Sequence, residues 1–83
     1  MKHYYPAIFE RAEDIGGFVV TVPDIKGCVT QGENLLDATI QTVDAIDCML
    51  SGTAEKDFPK PSDVKKYFAE YPGAIINIVE YKV

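Results

Sequence analysis

One segment with helical periodicity, Leu35 to Leu50, constrains the fold of this chain more than any other feature. Its apolar residues recur at intervals of three and four, which is the spacing of one face of an amphipathic helix. The predicted apolar stripe consists of Leu35, Leu36, Thr39, Ile40, Val43, Ile46 and Leu50. In a chain of 83 residues, one such helix leaves room for a single small domain, residues 1–83, whose other elements must cover that stripe.

The residues at both ends of the segment are those that start and stop helices. Asn34 is the predicted N-cap, and Asp37 lies three positions further on, in a capping-box relation. An acid is also favoured in the first turn by the helix dipole. Ser51 and Gly52 form a suitable C-terminal stop.

Short segments of alternating apolar residues flank the helix and predict strands. A brief, glycine-containing turn (residues 12–17) joins the first two, which predicts an antiparallel hairpin. Pro6 lacks an amide hydrogen, so it indicates an edge position or the start of a ladder. The predicted strands are Tyr4 to Arg11, Gly17 to Pro23, Cys28 to Gln31 and Ala74 to Val83.

A polar, proline-bearing loop follows the long helix, and a short helix is predicted from Asp63 to Glu70 with Ser62 as its cap. The element order β-β-β-α-β, with this short extra helix, predicts an α+β domain with a mainly antiparallel sheet packed on one long helix. The first and last strands are apolar on both faces, and one long helix covers only one of them. Either another chain meets the second face or the sheet edge, or the segment from Pro59 to Tyr71 folds over that face.

Charge and composition restrict the possible partners. The net charge of −5 and the pI of about 4.6 disfavour nonspecific nucleic-acid binding and favour a basic partner. No apolar run approaches the ~20 residues of a membrane span, and no secretion signal is visible, so a cytoplasmic protein is predicted. Cys28 and Cys48, with a single histidine at the frayed start (His3), make no recognisable zinc set, and we expect no metal or cofactor.

The glycines of "GCVTQGENLLD" have the spacing of a phosphate-binding loop, but the residues after them do not fit one. Gly27 and Gly32 match the Walker A spacing, whereas Glu33 and Asn34 replace the required lysine and hydroxyl. Asp37 adds a second negative charge where a phosphate would sit. We therefore interpret this junction as a turn.

Acidic residues on one flank of the long helix, Asp37, Asp44 and Asp47, leave several interpretations open. They could form a solvated face, or a ridge that docks a basic protein. With Asp24, Glu33 and Glu55 they could also supply the cluster of a residual metal-dependent nuclease, although convergent carboxylates are not apparent. Cys28 has no base nearby and is interpreted as a small core residue, so no catalytic residue is predicted.

Two quoted stretches, "YPAIFE" (5–10) and "GGFVVTVPDIKGCVTQGENLLDA" (16–38), resemble the HicB-type antitoxin domain. Asn34 stands where a hydroxyl cap is usual in that family and Asp37 where Glu is usual, and both preserve the capping chemistry. The matching positions are Tyr5, Ala7, Pro23, Asp24, Gly27, Cys28, Thr30, Gly32 and Ala38.

The resemblance implies a degraded, ribonuclease-H-like fold and an antitoxin that covers the active site of a small basic HicA-type ribonuclease. It also implies homo-dimers or homo-tetramers. Many members carry a C-terminal DNA-binding module, for which a chain ending at Val83 has no room, so direct DNA binding is not predicted.

The charge pattern and the resemblance together predict two groups of residues. We expect toxin binding at the acidic positions Asp24, Asp37, Asp44 and Asp47, and structural roles at the motif positions Tyr5, Pro23, Gly27, Cys28, Thr30, Gly32 and Asn34. The alternatives are an orphan oligomeric domain without a toxin partner and the residual nuclease.

Overall fold

The chain forms four strands, two α-helices and one short 3-10 helix in residues 1–14 and 16–83, which the computed structural model describes. The elements are β1 (Lys2–Arg11), β2 (Phe18–Thr21), β3 (Val29–Gly32), α1 (Leu35–Leu50), the 3-10 helix (Glu55–Asp57), α2 (Val64–Glu70) and β4 (Ile75–Lys82). This is the predicted α+β order, and the bounds of α1 are those predicted. The 3-10 helix inside the loop was not predicted.

The strands form a single antiparallel sheet in the order β3-β2-β1-β4. β1 is an inner strand with β2 on one side and β4 on the other. It pairs with β4 from Lys2 to Phe9, but with β2 only from Ile8 to Arg11. The predicted hairpin between β1 and β2 is therefore confirmed. The predicted turn between them includes Ile15, which lies outside the described residues.

Pro6 lies in the middle of β1, at a point where only one neighbouring strand is present. Met1 and Val83 exchange two backbone hydrogen bonds of 3.0 and 2.9 Å, so the odd-numbered residues of β1 make the hydrogen-bonded pairs with β4. The nitrogen of Pro6 points to the opposite side, where the ladder with β2 has not yet begun. The missing amide hydrogen therefore costs no ladder bond.

A tight turn makes β2 shorter than predicted and moves β3 by one residue. The amide of Val22 donates to the carbonyl of Cys28 at 3.0 Å, and the amide of Ile25 donates to the carbonyl of Val22 at 3.1 Å. These bonds turn the chain directly after Thr21. Cys28 is consequently a buried loop residue that precedes β3.

The main core lies between α1 and one face of the sheet. Odd-numbered residues of β1 and β4 supply the sheet side, including Tyr5, Phe9 and Val79. The helix residues that are buried against them are Ala38, Thr42, Ile46 and Leu50. Thr42 satisfies its buried hydroxyl by donating to the carbonyl of Ala38 at 2.7 Å.

The rotation of α1 differs from the predicted apolar stripe. Leu35, Leu36 and Ile40 are exposed by 40%, 73% and 52%, although all three were assigned to the buried stripe. The reason is the close approach of α1 to β3: a Cβ added to Gly32 would lie 2.4 Å from the backbone nitrogen of Ala38. Only small residues fit at that contact, so the side of α1 that carries Ala38 and Thr42 faces the sheet.

The segment from Pro59 to Tyr71, one of the two predicted covers, packs on the second face of the sheet. Ile8 lies on the face opposite α1 and is fully buried, while α2 packs against the neighbouring strand β4. Tyr67 of α2 is 3% exposed. Of the two alternatives, folding of the Pro59 to Tyr71 segment accounts for the middle of this face. Tyr4 and Ile78 remain about half exposed, at 49% and 53%, towards β4.

Candidate protein-binding surface

The N-terminus of α1 is closed by two hydrogen bonds, one of which involves the residue before the N-cap and not the N-cap itself. The Oδ1 atom of Asn34 accepts from the amide of Asp37 at 2.8 Å, and the Oδ2 atom of Asp37 accepts from the amide of Glu33 at 2.9 Å. The predicted N-cap is confirmed. The carboxylate of Asp37 is half-buried and serves the helix end, which reduces its availability to a partner.

Asp47 connects α1 to β4. Its Oδ1 atom accepts a hydrogen bond from the hydroxyl of Tyr81 at 2.7 Å. That bond, together with burial and the negative charge of Asp47, raises the pKa of Tyr81. The side chain of Asp47 itself stays exposed.

The side chain of Asp24 binds other parts of the domain and connects the turn after β2 to the segment around α2. Its carboxylate accepts from the amide of Ser62 at 3.0 Å, from the hydroxyl of Ser62 at 2.6 Å and from the hydroxyl of Tyr67 at 2.8 Å. We call these three residues the Asp24 clamp. Ser62 was predicted to cap α2, but that role belongs to Asp63, which accepts from the amide of Lys65 at 3.0 Å.

The clamp also determines the acidity of Asp24. Burial acts to raise the pKa of this carboxyl, but the hydrogen bonds from Ser62 and Tyr67 and the positive charge of Lys66 outweigh burial. The pKa of Asp24 is therefore lower than the ordinary 3.8 of an aspartate. Asp24 is charged at neutral pH, but its oxygens already have intramolecular donors.

An exposed ridge on α1 combines apolar and acidic side chains. Leu36, Ile40 and Asp44 follow each other at four-residue intervals along the solvent side of the helix, and Asp47 lies beside them. We call these four residues the outer ridge. The structure thus brings Asp44 and Asp47 together with two apolar residues, while Asp24 and Asp37 are engaged elsewhere.

The sequence did not predict that Leu36 and Ile40 are exposed. Both fit the helical period of the apolar residues, so both were placed in the buried stripe. One signal was available. The apolar stripe as predicted spans more than the roughly 100° that a single buried face requires, and Leu36 and Ile40 lie at its margin. Small residues at 38 and 42 could have identified the buried side instead.

Several motif residues are buried or make contacts within the domain, and their structural role stays a prediction. The hydroxyl of Tyr5 donates to the carbonyl of Pro59 at 2.7 Å, which fixes the loop after α1. Gly27 has a φ of +81°, a conformation that disfavours other residues. Cys28 is 2% exposed, and burial, followed by the nearby Cys48, raises the pKa of its thiol. Pro23 and Thr30 are half-buried.

His3 is not the tail residue that was expected. It lies within β1, and its Nε2 atom is 2.6 Å from the Oε2 atom of Glu55. Its ring also meets Phe58 edge-on, with the centroids 4.9 Å apart. His3 therefore helps to anchor the 3-10 helix to the sheet.

Neither a metal-binding cluster nor a membrane-spanning helix occurs in the described residues. In residues 1–14 and 16–83, no group of three or more His, Cys, Asp and Glu side chains is arranged to hold a metal ion. No helix in the described part of the chain is both long enough and apolar enough to cross a membrane.

Comparison with known proteins identifies the family. Residues 5–83 match the family model of the HicB-like antitoxin of bacterial toxin–antitoxin systems. The chain belongs to the HicB-like antitoxin family. The resemblance noted in the sequence is thereby confirmed.

Relatives of this HicB-like domain share both sequence and fold. It is 34% identical over 80 residues to a 14.9 kDa protein from the rep-hol intergenic region of Haemophilus phage HP1, covering 92% of this chain and 59% of the phage protein. It is 29% identical to the N-terminal domain of the Burkholderia pseudomallei antitoxin HicB, with a TM-score of 0.78, covering 98% of this chain and all of that domain.

The fold also occurs in a toxin–antitoxin complex from Streptococcus pneumoniae. The match has a TM-score of 0.77 at 21% identity and covers 99% of this chain and 70% of that one. At this identity the likeness concerns the fold alone. This HicB-like chain spans 59% of the phage protein and 61% of the longer B. pseudomallei HicB chain.

Proposed function

We propose that this domain is an antitoxin that binds a small, basic, mRNA-cleaving HicA-type toxin and neutralises it by covering its active site. Membership of the HicB-like family supports the antitoxin role. The place of that family in bacterial toxin–antitoxin systems supports a toxin partner. In this proposal the domain acts in the cytoplasm by binding and catalyses no reaction.

The outer ridge of α1 is the observation that carries the proposal. Leu36 and Ile40 are 73% and 52% exposed on a helix whose opposite side is fully packed. Protein interfaces combine such an apolar centre with a polar rim, and Asp44 and Asp47 supply the rim here. We therefore propose the outer ridge as the toxin-binding surface.

Charge supports a basic partner for this surface. The chain carries a net charge of −5, and Asp44 and Asp47 add negative charge beside the apolar residues of the ridge. Complementary charge accelerates association and rejects partners of the wrong sign. Asp24 and Asp37 were also expected to bind toxin; we now assign both a supporting role, because both are half-buried and accept hydrogen bonds within the domain. Asp47 also accepts a hydrogen bond, from Tyr81, but it stays exposed.

The test compares variants of the ridge with a variant outside it. Ile40→Lys and Asp44→Lys are each expected to raise the Kd for the toxin encoded beside this gene by about 10- to 100-fold, the effect of losing an interface hot spot. Asp57→Lys makes the same change of charge at an exposed position outside the ridge and serves as the matched control. Titration calorimetry gives the Kd, and growth of cells that co-express the toxin gives neutralisation.

The opposite pattern would count against the ridge. Unchanged affinity in Ile40→Lys and Asp44→Lys would move toxin binding elsewhere on the domain. An absence of any binding between the wild-type domain and the adjacent gene product would favour the orphan oligomeric domain instead. We also propose that the domain assembles as a homo-dimer or homo-tetramer and does not itself bind DNA.

A further inference from the structure

β4 forms one end of the sheet, and among the described residues no strand lies beyond it. Its odd-numbered residues make the hydrogen-bonded pairs with β1, because Met1 and Val83 exchange two backbone hydrogen bonds. The even-numbered residues therefore direct their amide and carbonyl groups outward, and we call these outward groups the open edge. The open edge belongs to Ile76, Ile78, Glu80 and Lys82.

The open edge lacks the features that keep sheet edges from pairing with another strand. Protected edges are very short or carry prolines, bulges or charges. β4 is eight residues long, contains no proline and has its two charged residues near its C-terminal end. Ile75 and Ile78 are 40% and 53% exposed along it. Such an edge is a template for an extended segment of another chain.

The open edge adjoins the outer ridge of α1. The hydroxyl of Tyr81 on β4 donates to the Oδ1 atom of Asp47 at 2.7 Å, so the C-terminal end of the ridge lies against the edge strand. Asp47 itself stays exposed. A protein that contacts Asp47 therefore lies next to β4, and one extended segment of that protein is enough to reach the open edge.

Charge at this end of the sheet favours a basic occupant. The side chain of Glu80 is 47% exposed on the face opposite α1, while Asp47 lies on the α1 face of the same strand. A strand added at the open edge would therefore meet a carboxylate on each of its two faces. Lys2 contacts Glu80 at 3.3 Å, but this exposed ion pair is weak and leaves the carboxylate accessible.

We propose that the open edge binds an extended, basic segment of the toxin, which adds a fifth strand to the four-stranded sheet. This inference rests on the proposed function, because it assigns a second contact to the same partner. Main-chain hydrogen bonds to Ile76, Ile78 and Glu80 supply affinity, and side chains supply specificity. The added strand places an apolar side chain beside Ile78 and a basic side chain beside Glu80.

Amide hydrogen exchange, followed by NMR in the domain alone and in its complex with the toxin encoded beside this gene, tests the pairing directly. Without toxin, the amides of Ile78 and Glu80 should exchange fast, whereas those of Val79 and Tyr81 should exchange slowly because they bond to β1. In the complex, the amides of Ile78 and Glu80 should slow by about 100-fold or more. This alternation distinguishes strand pairing from general coverage of the surface.

Proline substitution tests whether the outward amide itself contributes to affinity. Ile78→Pro removes that amide and takes no hydrogen bond from the ladder with β1. It should raise the Kd for the toxin at least about 10-fold more than Ile78→Ala, which shortens the same side chain and keeps the amide. Circular dichroism confirms folding, and if Ile78→Pro fails to fold, amide exchange of the wild-type complex remains decisive.

A pair of charge reversals tests the basic character of the bound segment. Glu80→Lys should raise the Kd for the toxin by about fivefold or more, because it places a positive charge beside the basic strand. Glu70→Lys makes the same change at an exposed position of α2 and is the matched control. Equal effects of the two reversals would overturn the assignment of a basic segment to this edge.

The outcomes separate this inference from the proposed function. Toxin binding that leaves the amides of Ile78 and Glu80 exchanging fast would reject strand addition alone and leave the antitoxin role intact. An absence of toxin binding would reject the proposed function and this inference with it. Slow exchange of both amides in the toxin-free domain, with a mass of twice 9.2 kDa, would assign the open edge to a second copy and overturn the inference.

Discussion

The carboxylate of Asp24 shows how one side chain can secure two distant parts of a small domain. It connects the turn after β2 to Ser62 and Tyr67, which lie 38 and 43 positions further along the chain. Its oxygens accept three hydrogen bonds, so this acid, predicted as a docking residue, has a structural function. Toxin binding by Asp24 stays a prediction, to which the clamp gives no support.

The Asp24 clamp should make the domain sensitive to acid. Because the pKa of Asp24 is lower in the folded protein than the ordinary 3.8, the unfolded chain binds the proton more tightly. The stabilisation is therefore present above the unfolded pKa and is lost as the pH falls through the folded pKa. Urea unfolding from about pH 7 to about pH 3 should show this loss in the wild-type free energy of unfolding.

Asp24→Asn should be less stable than wild type at neutral pH, and the difference should shrink in acid. Asp44→Asn is the matched control, because Asp44 is an exposed aspartate. Its substitution removes the same charge without breaking a hydrogen bond of the clamp, so the stability at neutral pH should stay close to that of wild type. Parallel stability curves for wild type and Asp24→Asn would show that the clamp does not contribute to acid unfolding.

At the scale of elements, the contact between α1 and β3 requires a glycine for reasons of space. Gly32 has no positive φ, yet a Cβ there would lie 2.4 Å from both the nitrogen and the Cα atom of Ala38. Gly32→Ala should therefore lower the free energy of unfolding by about 3 kcal/mol or more, as severe overpacking does. Denaturant titration measures the change.

Gly73→Ala is the control for Gly32→Ala. It shows how much stability is lost when a glycine loses its backbone freedom without any steric clash. Gly73 has a φ of +87° and nothing within 4 Å of its added Cβ, so the cost is conformational, about 1–2 kcal/mol. If Gly32→Ala lowered the free energy of unfolding no more than Gly73→Ala does, α1 could move away from β3 to make room for the methyl group. The rotation of α1 would then need another cause.

The hydrogen bond between Tyr81 and Asp47 should hold α1 against the edge strand β4. Tyr81→Phe removes the hydroxyl at the 2.7 Å contact and should lower the free energy of unfolding by about 1–2 kcal/mol. Tyr4→Phe is the control, because the Tyr4 hydroxyl is exposed and 3.5 Å from Glu80. Equal effects of the two substitutions on thermal unfolding would argue against a special role for the Asp47 contact.

At the scale of the whole molecule, the net negative charge should guide association with a basic partner. The net charge of −5 should accelerate association with a basic toxin, so the association rate should fall about tenfold between about 50 and 500 mM salt. Stopped-flow mixing measures this rate. An association rate that does not change with salt would mean that charge does not guide the encounter.

Local patterns in the sequence determined much of this protein: the α+β order, the bounds of α1, the Asn34 cap and the family. Each depends on residues close together in the chain, where periodicity and capping chemistry act directly. The candidate surface was only half predictable, since Asp44 and Asp47 could be identified as an acidic flank whereas Leu36 and Ile40 were assigned to the core.

Only the tertiary structure decided which side of α1 is buried, because Gly32 of another element sets the distance of closest approach. It also decided that Asp24 serves Ser62 and Tyr67, and that α2 covers the second face of the sheet. These outcomes depend on contacts between segments far apart in sequence. The periodicity of one segment specifies which residues are apolar, but the shape of its neighbours selects which of them are buried.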